Sequence, residues 1–487
     1  MRPEKLSPGE GKSGIFIYDW WYHVMRPMTV GEIAKAVGSE NPAQLANNLP
    51  ITSITTDSRP VNEDGDRDSC LFVALRGENF DGHRFVPVAL NTKAAFALVD
   101  QGDPQDPRLI FCKDTEQGFL DLAGYYRSKF HPKVVGITGS VGKTTTKEMI
   151  AQVLSAQFKT LKTQGNLNNR VGLPKTLFNL DETYEAAVIE MGMNHFGEIA
   201  DMTRRARPDI GVITNVGISH VEFLGSREGI LKAKLEMLEG MQPGSPLILC
   251  GDNDLLRQVK DDRFHIMTYG ILNTACDVRG TQIRACQGKT SFHILWEGKD
   301  LPAVIPTFGE HNVLNALAAF AVGIQCGMEP HVIVEALATY KPAGMRQKVV
   351  RHNDIQVVED CYNAGPDSMI AAIKAFGEMP PLEGGRKIFV MADMLELGDY
   401  SKQCHRQVGQ EAAAHGLDVI LCYGPESQET AEAAREADQR CDVRHFMDKE
   451  SLIRALLLSV RKGDTIWFKG SRGMKLEEVI SRLYEKF

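Results

Sequence analysis

The sequence predicts an α/β protein of three domains: a small N-terminal α/β unit, a central parallel-sheet domain of the P-loop ATPase kind, and a C-terminal doubly wound, Rossmann-like domain. Three observations carry this. At 487 residues the chain exceeds one ordinary hydrophobic core. Residues 134–147, VVGITGSVGKTTTK, are a β-branched strand, a glycine turn and a helix start. From 133 to 340, and again beyond 344, apolar runs of strand length alternate with helical patterns, as parallel sheets covered on both faces require.

Composition bounds the rest. Hydrophobic content of 43% with 24% charged residues is that of a soluble globular chain, and a net charge of -8 gives no electrostatic reason to expect nucleic acid. The ten cysteines form no C-x-x-C pair and no zinc-type cluster with histidine, so a reducing cytoplasm is expected. The apolar run IFIYDWWYHVM at 15–25 is too short to span a bilayer and carries Asp19 and His23. No cleavage site of small residues follows it. Residues 1–27 read as an arm, as a start assigned upstream of the true one at Met25 or Met28, or as a docking segment using Trp20, Trp21 and Tyr22.

The first domain is expected over 28–132. It opens on a helical pattern after Met28 and continues as short strands separated by turns. Two polar clusters stand out there: Thr56-Asp57-Ser58-Arg59, and the run RGENFDGH containing Asn79 and His83. By residue type alone both are ordinary turn chemistry.

The central domain is expected over 133–343. Its glycines at 136, 139 and 142 let the backbone turn tightly, so that peptide N–H groups and the helix start can face a phosphate chain. Gly139, Ser140, Val141, Gly142, Lys143, Thr144 and Thr145 are the candidate phosphate contacts. Lys143 brings a point charge for the terminal phosphates, and Thr144 a hydroxyl for the Mg²⁺ that a nucleotide carries. Ile137 stands where the strict phosphate-loop pattern has glycine, so the match is a variant. The strand AAVIE ends on Glu190, and the strand at 210–214 leads through Asn215 and Gly217 to His220. Ligands of such sheets bind beyond the carboxyl ends of the strands, which predicts that Thr144, Glu190 and His220 share one rim. Glu190 is then the natural Mg²⁺ carboxylate, with a helix cap as the alternative. Alone, His220 would be a weak candidate, since a lone histidine is more often a satisfied structural residue than a ligand. Asn312 and Asn315 begin a helix of small residues; their amides can read a base edge, or serve as helix-start residues.

The third domain is expected over 344–487, entered by the Pro342-Ala343-Gly344 linker with Arg346 directly after it. Strands near 357–361, 387–391, 419–423 and 465–468 alternate with helices, without a G-x-G-x-x-G fingerprint, so dinucleotide binding is not indicated.

Together these segments resemble the Mur ligases of bacterial cell-wall synthesis over about residues 28–487. The general marks are TGSVGKTTTK, the HNVLNALAA helix and the arginine after the Pro-x-Gly linker. The selective marks are TDSR with FVALRGENFDGH, then DCYNAGPDSM, DMLELG and FKGSRGMKLE, which are similar to the last ligase of the series. Ala392 departs from the glycine usual before DMLELG, with no loss of activity expected.

The resemblance implies ATP and Mg²⁺ as cofactors, UDP-N-acetylmuramoyl-tripeptide and D-alanyl-D-alanine as partners, and joining of the two through an acyl phosphate. It implies that Ser58, Arg59, Asn79 and His83 contact the uridine nucleotide sugar and that Asn312 and Asn315 face adenine. Arg346 and Asp360 would reach the ATP phosphates or ribose, with Tyr362, Asn363 and Pro366 shaping the site around them. Lys234, fourteen positions after His220, matches a lysine that several members carry as a carbamate, although Lys232 is close enough to confuse the assignment. Lys143, Lys234 and Arg346 are thus the expected catalytic groups, and Thr144, Glu190, His220 and carbamylated Lys234 the metal set. A cytoplasmic monomer is expected, with the third domain closing over the central one near Arg346. The alternatives are a sibling ligase, a folate-type polyglutamate ligase, which needs no uridine site, and a catalytically silent nucleotide-gated binding protein.

Overall fold

A computed structural model describes residues 25–39, 48–59, 69–77, 80–92, 94–286, 288–342, 344–379, 381–382 and 384–487. The arm through residue 24, with Trp20, Trp21 and Tyr22, and the candidate Asn79 lie outside the described residues. The chain divides into two compact units, 1–122 and 123–487.

In the first unit a helix, Val30–Ala36, starts on a reciprocal cap: Thr29 Oγ1 accepts from Glu32 N at 3.1 Å and Glu32 Oε2 accepts from Thr29 N at 2.8 Å. The sheet runs Ser53–Thr55, Cys70–Val73, Phe96–Val99, Leu109–Phe111, all parallel. The division falls inside the helix Thr115–Arg127, earlier than the expected boundary at 132. The reason is visible in the helix's last turn. Tyr126 Oη donates to Leu180 O at 2.7 Å and Arg127 Nε to Ala206 O at 3.2 Å, which ties those residues to the second unit.

The second unit holds two sheets. The larger is ordered Thr160–Lys162, Ala186–Glu190, Lys133–Thr138, Ile210–Ile213, Pro246–Cys250, His265–Gly270, all parallel. It continues, unforeseen in the sequence reading, through Val278–Cys286 into an antiparallel meander with Lys289–Trp296 and Lys299–Ile305. The turn between the last two has Glu297 at φ 46° and Gly298 at φ 73°, the double left-handed turn that suits the twist of a hairpin. The smaller sheet is ordered Lys348–His352, Ile355–Glu359, Thr465–Lys469, Lys387–Ala392, Val419–Tyr423, Asp442–Phe446, parallel except for its first strand. Trp467 is fully buried in it, stacked on Phe389 with ring centroids 6.0 Å apart.

Register positions the site. Glu190 pairs with Ile137, and Ile213 with Thr138, so the phosphate loop, Glu190 and Thr214 leave the sheet along one carboxyl edge. Against this region packs the third domain: Phe308 joins the apolar core built on Met369, Ile373 and Phe376, with Ile218 beside it.

Candidate active site

The phosphate loop spans Gly139 to Gly142 between the strand Lys133–Thr138 and the helix Lys143–Leu154. Gly142 has φ 85°, and a Cβ on it would come within 2.7 Å of Asn315 Oδ1. A Cβ on Gly139 would lie 2.0 Å from Thr214 Oγ1, so close approach of the Thr214 loop demands glycine there. That loop is stitched in place by Thr214 Oγ1 donating to Val141 O at 2.6 Å and Gly217 N donating to Ser140 Oγ at 3.0 Å.

Lys143 folds back over its own loop, its Nζ donating to Gly139 O at 2.7 Å. Burial lowers its pKa, and the neighbouring Arg346 charge adds to that, while Glu190 opposes both. Thr144 Oγ1 donates to Glu190 Oε1 at 3.0 Å, and Asn168 Nδ2 donates to the same oxygen at 2.8 Å. The other oxygen, Oε2, accepts no hydrogen bond and stands 3.4 Å from the fully buried Lys147 ammonium, which also lies 3.2 Å from Glu148 Oε1. Burial pushes the Glu190 carboxyl up, but the charges of Lys147, Lys143 and Arg346 and the Asn168 hydrogen bond outweigh it and hold the group below its ordinary range. Glu190 is therefore an anion whose Oε2 lacks a hydrogen-bond donor, next to a hydroxyl and a glycine cradle. This donor set fits a hydrated Mg²⁺ carried on a nucleotide's phosphates. No group of three or more His, Cys, Asp or Glu side chains able to hold a metal by themselves occurs among the described residues.

Of the expected rim, Thr144 and Glu190 meet, and His220, at φ 67°, directs Nδ1 to Glu396 Oε2 of the DMLELG loop at 3.4 Å. Lys234 is 2% exposed, and burial pushes its amine well below the ordinary lysine range, with Lys143 adding repulsion. Arg346 lays its guanidinium 4.1 Å from the centre of the Tyr362 ring, and its field reaches Lys143 and Glu190. Asp360 Oδ2 accepts from Lys469 Nζ at 3.0 Å and Trp467 Nε1 at 3.3 Å. Asn363 is exposed, its Oδ1 accepting from Ala364 N, and Pro366 opens the helix Pro366–Glu378.

Both candidate adenine amides have protein partners. Asn312 Nδ2 donates to Gln347 Oε1 at 2.7 Å, Phe308 O at 2.7 Å and Thr307 Oγ1 at 2.9 Å, and Asn315 Nδ2 donates to Asn312 Oδ1 at 3.1 Å. Beside them His311 Nε2 stands 2.7 Å from Gln347 Nε2. Burial, with Lys469 nearby, pushes His311 down to about 4, against a raising hydrogen bond from Gln347. The unfolded chain then takes up this proton first as pH falls, so the contribution to stability is complete above about 6.5 and is lost as pH drops toward 4. Its full size is about 3 kcal/mol. Denaturant unfolding of His311→Gln is expected to lose much of the wild-type decline between pH 7 and pH 5; an unchanged decline would assign the acid sensitivity elsewhere.

In the first unit, Arg59 is exposed and pairs with Asp57, with Ser58 half-buried between them. The His83 side chain is 5% exposed, Nδ1 lying 2.7 Å from Asp81 Oδ1 and Nε2 accepting from Asp100 N at 3.2 Å. Both ring nitrogens are thus engaged inside the protein, while Arg76 bonds Asp100 next to them. The sequence reading passed over Lys147, Asn168, His311, Gln347 and Glu396. For Lys147 a signal existed, because it lies one turn after Lys143 on the same helix face.

Comparison with known proteins agrees with this geometry. Residues 137–323 match the Mur ligase middle domain and residues 345–472 the Mur ligase, glutamate ligase domain. The UDP-N-acetylmuramoyl-tripeptide--D-alanyl-D-alanine ligase of Bacillus subtilis is 38% identical over 462 residues, covering 94% of this chain and 98% of that protein. The Escherichia coli protein of the same name is 36% identical over 442 residues, covering 90% and 94%. Among solved structures, MurF from Acinetobacter baumannii superposes with a TM-score of 0.85 at 30% identity, covering 95% of this chain and 100% of that one. MurF ligase from Thermotoga maritima in complex with ADP gives 0.80 at 28% identity, covering 89% and 97%. At this identity and coverage, with the phosphate loop, Glu190 and the post-linker arginine in one unit, the chain belongs to the Mur ligase family, among the UDP-N-acetylmuramoyl-tripeptide--D-alanyl-D-alanine ligases.

Proposed function

We propose that this protein joins D-alanyl-D-alanine to UDP-N-acetylmuramoyl-tripeptide at the expense of ATP, giving the pentapeptide, ADP and phosphate. The observation that carries the reading is the convergence, inside one unit, of Lys143, the Thr144–Glu190 pair and the field of Arg346, within a chain 38% identical to a ligase of that name. A carboxylate does not accept an amine at neutral pH without activation. The tripeptide's terminal carboxylate attacks the γ-phosphorus of ATP, ADP leaves, the dipeptide amine attacks the acyl carbon, and phosphate departs with loss of a proton.

The chain's share of this chemistry is placement and charge neutralisation. Loop N–H groups and Lys143 cradle the phosphates, and Arg346 offers a second cation from beyond the linker. Thr144 and Glu190 would hold Mg²⁺, whose charge offsets that of the phosphate oxygens. Ser58, Arg59, Asn79 and His83 are the candidate sugar-nucleotide contacts, with the His83 ring fixed between Asp81 and Asp100. Asp360, Tyr362, Asn363 and Pro366 frame the nucleotide from the third domain, and Asn312 and Asn315 stand at its base. No helix among the described residues is long and apolar enough to cross a membrane. A cytoplasmic monomer suits a chain whose cysteines form no C-x-x-C pair and whose substrates are small molecules.

Phosphate release by the purified protein, omitting ATP, Mg²⁺, the UDP-muramoyl-tripeptide or the dipeptide in turn, tests the reading. Release that requires all four, with a pentapeptide product by mass spectrometry, supports it. Release without the dipeptide overturns it in favour of a sibling activity.

Lys234 is read as a carbamate. A buried amine of depressed pKa, whose charged neighbour is the cation Lys143, is a nucleophile toward CO₂, and the product is an anion suited to a metal-rich site. Lys234→Ala is expected to lose at least about 100-fold in kcat, with partial recovery on adding formate or acetate to fill the vacated space. Full activity in the variant would remove the carbamate role.

A further inference from the structure

The linker between the central and third domains contains two left-handed residues, Gly344 at φ 64° and Gln347 at φ 52°, with Arg346 between them. Such a conformation is disfavoured at a non-glycine residue and persists where the surroundings hold it. What holds Gln347 is its carboxamide. Oε1 accepts from Asn312 Nδ2 at 2.7 Å and from Thr307 Oγ1 at 3.3 Å, and Nε2 lies 2.7 Å from His311 Nε2. All three partners belong to the central domain.

The bonds do not stop there. Asn312 Oδ1 accepts from Asn315 Nδ2 at 3.1 Å, and Asn315 Oδ1 accepts from Thr146 Oγ1 at 2.9 Å. Thr146 is fully buried on the phosphate-loop helix, and the same Asn315 Oδ1 fills the space where a Cβ on Gly142 would sit. Read outward from the phosphate-loop helix, Thr146 donates to Asn315, Asn315 to Asn312 and Asn312 to Gln347, an unbroken relay that ends at the residue after Arg346. Bonds aligned in this way polarise one another and resist displacement.

We propose that Gln347 is a positioning residue for ligation: by bonding the linker to Asn312, Thr307 and His311 it sets where the Arg346 guanidinium stands relative to the phosphate loop. The proposal rests on the reading that Arg346 acts on the nucleotide's phosphates. Gln347 itself touches no reacting atom.

The test is a double-mutant cycle with kcat, KM and melting temperature measured throughout. Gln347→Leu is expected to lower kcat about 10- to 100-fold, the cost of a misplaced group, while the KM for the sugar-peptide stays within about twofold. In an Arg346→Lys background it is expected to cost little more, because the arginine it places is gone. A purely structural role gives a lower melting temperature, a kcat that is normal well below it, and additive losses; that pattern overturns the proposal. If Arg346→Lys alone is fully active, the reading of Arg346 falls, and the proposal with it. If Arg346→Lys is impaired but Gln347→Leu is not, the proposal alone falls. Where Gln347→Leu folds poorly, Thr146→Val at the far end of the relay is measured by the same criteria, with Thr146→Ser expected to restore wild-type kcat.

Discussion

Lys143→Ala is expected to lower kcat by at least about 10³-fold while leaving affinity for the uridine nucleotide within about threefold of wild type. The ammonium is held in the loop by Gly139 O at 2.7 Å and Ser140 O at 3.5 Å, two weakly attractive carbonyls that a phosphate chain outcompetes. In the function proposed above, its work is done on the phosphoryl group in flight, where charge is spread over oxygens that water would otherwise solvate. Alanine removes the charge without filling the cradle. Lys143→Arg is expected to fail as well, since a planar guanidinium does not fit a loop closed by Thr214 and Asn315. Stopped-flow turnover with isothermal titration of a uridine ligand checks both parts. If uridine affinity collapsed with turnover, the assignment of the two sites to separate units would be wrong.

Glu190→Gln carries the second large effect. The variant keeps shape but loses the anion that faces Thr144, Asn168 and Lys147 at 3.0, 2.8 and 3.4 Å. Two consequences separate. Activity is expected to fall at least about 100-fold, with the Mg²⁺ requirement shifted to higher concentration, because the carboxylate ligand is gone. Stability is expected to fall by about 3 kcal/mol or less, since Lys147 is left buried with Glu148 as its remaining anion at 3.2 Å. Replacing both partners, as Glu190→Gln with Lys147→Met, is expected to restore the melting temperature but not the turnover. Restoration of both would make Glu190 a structural counter-ion and remove it from the metal site.

The parts of the site that were legible are those written in consecutive residues. The sequence reading began the phosphate-loop helix at Lys143 and ended a strand on Glu190, as the structure does. It extended the strand after it one residue too far, to 214 rather than Ile213, because Thr214 has strand propensity but spends its side chain on Val141 O. His83 and Asp360 are ligand contacts only as the resemblance implies; nothing in their own residue pattern points to it. In the fold, His83 is locked between Asp81 and Asp100, and Asp360 accepts from Lys469 and Trp467. Polarity alone does not tell a group offered to a ligand from one satisfied inside the protein.

By itself the sequence determined the three-part α/β organisation, the phosphate loop and the family to which the chain belongs, because strand, glycine turn and helix start are set by neighbours along the chain. Only the tertiary structure decided who partners Glu190, where His220 points and how Gln347 is tied to Thr146. The physical reason is separation: Thr146 and Asn315 lie 169 positions apart, and Asn312 and Gln347 lie 35 apart. Such hydrogen bonds exist only once sheet register and domain packing have brought their ends within about 3 Å of each other.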